Sequence, residues 1–219
     1  IYVEAGVNSA KLVKFATDNS LSGIEWFAGV PGTVGGAIYG NAQAFGVKMS
    51  DSVKTVEVLD FKTLKIVKLS NKQCKFSLKN SIFKKNTPRG TGQNLIIISA
   101  VLKLKKTKKE DIEEKIKEHI IYRKKGHPIS FPSAGSVFVN PEIKAKNKIK
   151  VVHTASLIES CGLKGKKIGN AQISLQHANF IVNLGGAKAK DVLALIKLAK
   201  QKVKKTFNID LEQEIIWKL

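Results

Sequence analysis

Arginine, cysteine and long apolar runs are scarce in this 219-residue chain, and each scarcity argues against a class of function. Only Arg89 and Arg123 are arginines; the other 36 basic residues are lysines, so compact ammonium groups carry most of the formal net charge of +21. Lysine lacks the planar fork that reads phosphates and bases bidentately, and few of these lysines alternate with aromatics as a stacking platform for single strands requires. The charge is also uneven: net −2 over residues 1–60, +17 over 61–150 and +6 over 151–219. A solvated lysine surface accounts for this better than nucleic-acid recognition, although a basic field also attracts anionic small molecules. Cys74 and Cys161 have no metal-ligand spacing, which points to a reducing, cytoplasmic setting with two buried thiols; no metal site is expected. The longest apolar stretch, residues 95–102, is broken by Ser99 and is far too short to span a bilayer, so no membrane partner is expected. The opening "IYVEAG" has neither an initiator Met nor the basic and apolar start of a signal peptide. It reads as a strand entered midway, with the expectation that an N-terminal portion precedes it.

The composition, 43% hydrophobic and 7% aromatic, is that of a globular protein able to bury one large core or two small ones. Leu12, Val13, Phe15 and Ala16, behind the capping candidates Asn8 and Ser9, predict a helix over residues 9–18. Val53, Val56 and Val58, then Leu64, Ile66 and Leu69, flank a turn at residues 60–63 and predict two paired strands. A third, strongly apolar strand follows over 94–105. Residues 110–124 read as a lysine-rich helix stopped by Gly126 and Pro128, at the candidate boundary between domains over 1–105 and 106–219. Beyond it the pattern predicts a strand within 132–141, a short helix within 154–162, strands near 171–174 and 179–183, a helix over 189–207 and a last strand over 212–219. The fold class is α+β.

Two motifs carry the chemistry. "GVPGTVGGAIYGNAQAFG", residues 29–46, holds six glycines and reads as a tight loop whose backbone could approach a cofactor or simply turn the chain. It lacks the Gly-Lys-Ser/Thr ending of a phosphate-binding P-loop and the three-glycine dinucleotide fingerprint. "PSAGSVFVNP", residues 132–141, surrounds Ser136 with small residues. By itself Ser136 could be a nucleophile, a cap, a phosphate ligand, a proton donor or a turn residue. The nucleophile reading is disfavoured because Phe138 stands where a Gly-x-Ser-x-Gly elbow needs its second glycine.

These motifs, with "CKFSLKNSIFK", "LIESCGLKGKKIGNAQISLQHANFIVN" and "LEQEI", occur in the order and spacing of the UDP-N-acetylenolpyruvoylglucosamine reductases, and the chain resembles the short form of that family along essentially its whole length. The resemblance implies a vanillyl-alcohol-oxidase (PCMH) type FAD-binding fold lacking its first subdomain, with residues 1–105 as the second FAD-binding subdomain and 106–219 as an α+β substrate-binding subdomain. The implied activity is the FAD-dependent, NADPH-driven reduction of UDP-N-acetylglucosamine enolpyruvate to UDP-N-acetylmuramate for peptidoglycan synthesis, carried out by a monomer on a UDP-sugar. Ser136 is then the proton donor, with Glu214 as a second acid or orienting group and Lys79 as the active-site cation. Pro31, Gly32, Thr33, Val34, Gly35, Gly36, Asn41 and Gly46 line the flavin, and Asn140 and His177 face the nucleotide sugar. Three positions depart from the family pattern. Lys79 replaces an arginine, Asn41-Ala42-Gln43-Ala44-Phe45-Gly46 puts a bulky side chain where the flavin is expected to approach, and His127 stands where a glutamine is usual. A noncatalytic relative that no longer holds FAD, and a basic nucleic-acid-binding protein on the same scaffold, are the alternatives.

Overall fold

The computed structural model describes residues 1–85, 95–145 and 148–215 and mixes helices with antiparallel sheets, as expected of an α+β chain. It comprises two compact units, Ile1–Tyr122 and Arg123–Leu219. The division expected after residue 105 falls instead near the far end of the Lys109–Gly126 helix. Ile116 and Ile120 of that helix pack against the first core and Ile112 is buried, so most of the helix belongs to the first unit.

The first unit is built on a four-stranded antiparallel sheet ordered Tyr2–Glu4, Leu95–Leu102, Val53–Asp60 and Lys65–Ser70. Period-two alternation turns Val56 and Val58 into the core, paired with Ala100 and Ile97 across the central ladder. The turn expected at residues 60–63 closes where Asp60 accepts twice: its carbonyl from Leu64 N–H at 2.8 Å and its carboxylate from Lys62 N–H at 2.9 Å. The predicted first helix is present as Ser9–Asp18. Asn8 caps it, its side-chain oxygen accepting from Lys11 N–H at 2.8 Å, and the helix buries Leu12, Val13 and Ala16. The glycine-rich segment departs from the tight loop expected of it, because residues Val34–Tyr39 form a short helix. Thr33 caps this helix, and Val34 and Ile38 are fully buried; tertiary packing overrides the poor helix propensity of Gly35 and Gly36.

The second unit has its own core around a four-stranded antiparallel sheet ordered Lys167–Ile168, Ala171–Ile173, Phe180–Asn183 and Ser133–Ser136. The helices Thr154–Ser160 and Ala189–Phe207 contribute Leu157, Ile158, Leu195, Ile196, Ala199 and Val203 to that core. The long helix begins where Asp191 accepts from Lys188 N–H at 3.0 Å and ends at Asn208, in the left-handed conformation that closes helices. A hairpin of Glu142–Ala145 with Lys148–Val151 was not legible in the charged sequence. The last strand expected over 212–219 is reduced, among the described residues, to a bridge between Phe138 and Gln213; residues 216–219 lie outside them.

Candidate functional site

In the first unit, the glycine segment is stitched to the start of the chain. Val34 and Gly35 N–H donate to the carbonyls of Val7 and Ala5, both at 2.9 Å, and Ser9 donates its N–H to Gly32 O at 3.1 Å and its hydroxyl to Val30 O. These bonds divide the expected flavin-lining residues. Val34 and Gly35 are buried and their amides are committed to the fold, so they brace the segment. Pro31, Gly32, Thr33 and Gly36 form its exposed edge, where Gly32 takes φ 123° and a Cβ there would meet no atom within 4 Å. This open main-chain edge, with no side chain at Gly32 or Gly36 to obstruct it, fits close approach of the flavin nucleotide that the resemblance implies.

Asn41 is expected on the flavin, but it is only 2% exposed. Its amide donates to Ser77 O at 2.9 Å and accepts from Ser50 N–H at 3.0 Å, which makes it a brace. Gly46 supplies the second left-handed position of a hairpin turn, φ 77°, after Phe45 at φ 53°. The Phe45 ring stacks on His119 with centroids 4.0 Å apart and meets Tyr122 edge-on at 5.3 Å. Gln43 is half-buried in the same small hairpin, opposite Lys48.

The Lys79 motif lies against the glycine segment. The buried Ser81 hydroxyl donates to Tyr39 O at 2.6 Å, and Asn41 holds Ser77, so both ends of the turn over residues 77–80 are fixed. Lys79 is half-buried at φ 51°, and its carbonyl accepts from the Lys84 ammonium at 2.9 Å. Two motifs some forty residues apart in sequence therefore form one surface.

In the second unit, Ser136 is half-buried at the end of its strand and pairs with Phe180. The chain then leaves the sheet and runs against the C-terminal segment. Glu214 N–H donates to Val137 O, and Val139 N–H to Glu212 O, both at 2.9 Å. Ser136 and Glu214, 78 positions apart in sequence, are thus brought onto neighbouring extended segments. Paired residues on antiparallel strands share a face, so Ser136 lies on the side of Phe180. Phe180 packs with His177 and His127, at centroid distances of 4.9 and 5.2 Å, and the two imidazoles lie 5.5 Å apart. Burial lowers both histidine pKa values; His177 and Arg123 depress that of His127 further. For His177, a backbone hydrogen bond opposes the fall, and Lys164 and His153 add to it. His177 Nδ1 accepts from Asn179 N–H at 3.3 Å, which leaves the proton of the neutral ring on Nε2. Gln176 secures the turn by donating to the carbonyls of Lys124 and Lys125 at 3.0 and 2.9 Å.

Asn140 is exposed, and its side-chain oxygen accepts from Thr154 N–H at 3.0 Å, which anchors the start of the Thr154–Ser160 helix. Sequence reasoning missed the two side chains that shape this region, Asn179 and Gln176. Both sit inside the motif that carries His177, but an amide in a turn gives no periodic signal; only its hydrogen bonds disclose its task. No described helix is long and apolar enough to cross a membrane.

Comparison with known proteins gives one consistent result. The family model for the UDP-N-acetylenolpyruvoylglucosamine reductase C-terminal domain matches residues 127–217, and that for an FAD binding domain matches residues 1–70. The reductase of Fervidobacterium nodosum is 44% identical over all of this chain and 66% of its own length. That of Pseudothermotoga lettingae is 41% identical over 99% of this chain and 71% of its own. The crystal structure of the Thermus caldophilus reductase superposes with a TM-score of 0.80 at 35% identity, covering all of this chain and 73% of that one. The chain therefore spans about two thirds of the length of the curated relatives it matches, and it belongs to the UDP-N-acetylenolpyruvoylglucosamine reductase family.

Proposed function

We propose that this protein reduces UDP-N-acetylglucosamine enolpyruvate to UDP-N-acetylmuramate with electrons from NADPH, in the cytoplasm, and so serves peptidoglycan synthesis, cell shape and division. FAD, when bound, supplies the hydride that NADPH has delivered to it. Hydride addition to the alkene pushes an electron pair toward the carboxylate and leaves an enolate-like anion. Ser136 gives its hydroxyl proton to the adjacent carbon, forming the C–H bond, and regains a proton from solvent. A serine is a weak acid, but the enolate is a strong base, so the transfer is downhill once the groups are positioned. The reduction consumes this one proton, and Glu214 orients the step or, as a second acid, stabilises the enolate-like anion by hydrogen bonding. In the first unit, the exposed main chain at Pro31, Gly32, Thr33 and Gly36 holds the cofactor and Lys79 provides the cationic charge. Asn140 and His177 face the nucleotide sugar, His177 as a neutral Nε2–H donor.

The observation that carries the proposal is the hydrogen bond from Glu214 N–H to Val137 O, which sets a carboxylic acid residue beside the strand of Ser136. The test is a titration of the intact protein with FAD followed by an NADPH oxidation assay. The expected result is a yellow protein whose oxidation of NADPH accelerates when the enolpyruvyl sugar nucleotide is added. A colourless protein that takes up no FAD would sink the proposal in favour of a noncatalytic relative.

A further inference from the structure

The geometry points to Asn179 as a positioning residue for proton transfer: its buried carboxamide holds the segment after Ser136 on one edge while the Glu214 segment holds the other. The inference rests on the proposed role of Ser136 and adds a group that touches neither substrate nor cofactor. Asn179 is 4% exposed. Its side-chain oxygen accepts from Phe138 N–H at 3.0 Å and its nitrogen donates to Phe138 O at 2.8 Å, so one side chain satisfies both main-chain groups of a residue 41 positions away. Its own carbonyl accepts from Val137 N–H at 2.8 Å.

These three bonds lie just beyond the end of the strand Ser133–Ser136. The ladder pairs Val182 with Ser133 and Phe180 with Ser136, with an irregularity between the two pairs, and the strand ends at Ser136. Residues 137–139 would there lose their partners on the sheet side. Asn179 replaces them, while Val137 O and Val139 N–H are satisfied by Glu214 and Glu212 on the opposite edge. Phe138, anchored in the core at 2% exposure, is the fixed point of this arrangement. Ser136 is two residues upstream of that point and Glu214 is bonded to the residue between them, so the distance from either side chain to a reacting carbon depends on the clamp.

Without Asn179, two buried main-chain groups lose their partners and the segment relaxes toward other donors and acceptors. A shift of about 1 Å at a reacting group can cost a hundredfold in rate. The predicted effect is confined to the step that uses the serine proton. In the intact, FAD-loaded protein, Asn179→Asp keeps the acceptor for Phe138 N–H and loses the donor to Phe138 O; Asn179→Leu loses both. We expect NADPH to reduce the flavin of either variant within twofold of the parent rate. Reoxidation by the enolpyruvyl sugar nucleotide should slow at least about tenfold in Asn179→Asp and further in Asn179→Leu. If Asn179→Leu does not fold, Asn179→Asp alone decides. A purely structural asparagine lowers the melting temperature and leaves the ratio of the two half-reaction rates unchanged, and that result overturns the inference. Ser136→Ala, run in parallel, separates the two claims. If it slows reoxidation while Asn179→Asp does not, only the positioning role fails; if it too leaves reoxidation unchanged, both fail.

Discussion

Gly35 offers a sharp test of how the glycine segment is held, because two opposing effects of known size meet there. A Cβ added at Gly35 would lie 2.8 Å from Ala5 Cβ, 3.2 Å from Ala5 O and 3.4 Å from Ala5 Cα. None of these atoms can swing away, since each belongs to or is bonded to the main chain. Gly35 N–H also donates to the same Ala5 carbonyl at 2.9 Å, so retreat of one segment from the other stretches that bond. Against this, alanine is favoured over glycine within a helix by about 1 kcal/mol. The gain is an upper limit here, because Gly35 is the second residue of the six-residue Val34–Tyr39 helix. Overpacking in a tight interior costs about 1–3 kcal/mol, and the rigidity of the neighbour favours the upper half of that range. Gly35→Ala should therefore destabilise the first unit by about 1–2 kcal/mol net. It should also weaken FAD binding several-fold, because the exposed edge at Pro31, Gly32 and Thr33 moves with the helix. Ala5→Gly combined with Gly35→Ala removes the 2.8 Å contact and should recover at least half of the loss, a coupling that a double-mutant cycle in urea denaturation would read. A Gly35→Ala protein as stable as its parent, with unchanged FAD affinity, would refute the reasoning.

Three further outcomes are expected. Ser136→Ala should leave flavin reduction by NADPH near normal and slow reoxidation by substrate about a hundredfold, measured by stopped flow. Lys79→Arg should keep or raise turnover, since charge is retained, whereas Lys79→Met should lower it at least about tenfold; equal rates in steady-state assays would remove Lys79 from the reaction. Burial alone pushes the Glu25 carboxyl up, but the Ser22 hydroxyl at 2.6 Å, the Glu25 and Gly23 amides and the Lys115 charge together hold it below the ordinary value. Its contribution to stability is then present above the unfolded carboxylate pKa, about 4.3, and is lost as pH falls through the lower folded value. Chemical denaturation of Glu25→Gln between pH 7 and pH 3 should show a flatter acid limb than the parent, and parallel curves would contradict the assignment.

Much of the framework was legible in the residues because its signals are local. The Ala189–Phe207 helix follows from apolar spacing that meets the core at Leu195, Ile196, Ala199 and Val203, and the first helix from Asn8 and the apolar positions behind it. The hairpin at Val53–Asp60 and Lys65–Ser70 follows from alternation around Asp60. The same reasoning read residues 29–46 as a loop, since glycine's intrinsic cost argues against the helix that Thr33 and the buried Val34 and Ile38 nevertheless stabilise. Asn41 and Gly46, placed on the flavin by the family resemblance, also serve the fold: Asn41 braces Ser77 and Ser50, and Gly46 completes a turn.

The sequence by itself determined which residues are candidates for chemistry and the periodic elements that carry them, because residue identity and amphipathic spacing are properties of neighbours along the chain. Only the tertiary structure decided which of those residues meet. Ser136 and Glu214 become neighbours through main-chain bonds between residues 137–139 and 212–214, and Lys79 meets the glycine segment through Ser81 and Asn41. Such pairings join main-chain groups that every residue possesses, so the side-chain pattern does not encode them directly. They form where folding has buried those groups away from water and each must find a partner.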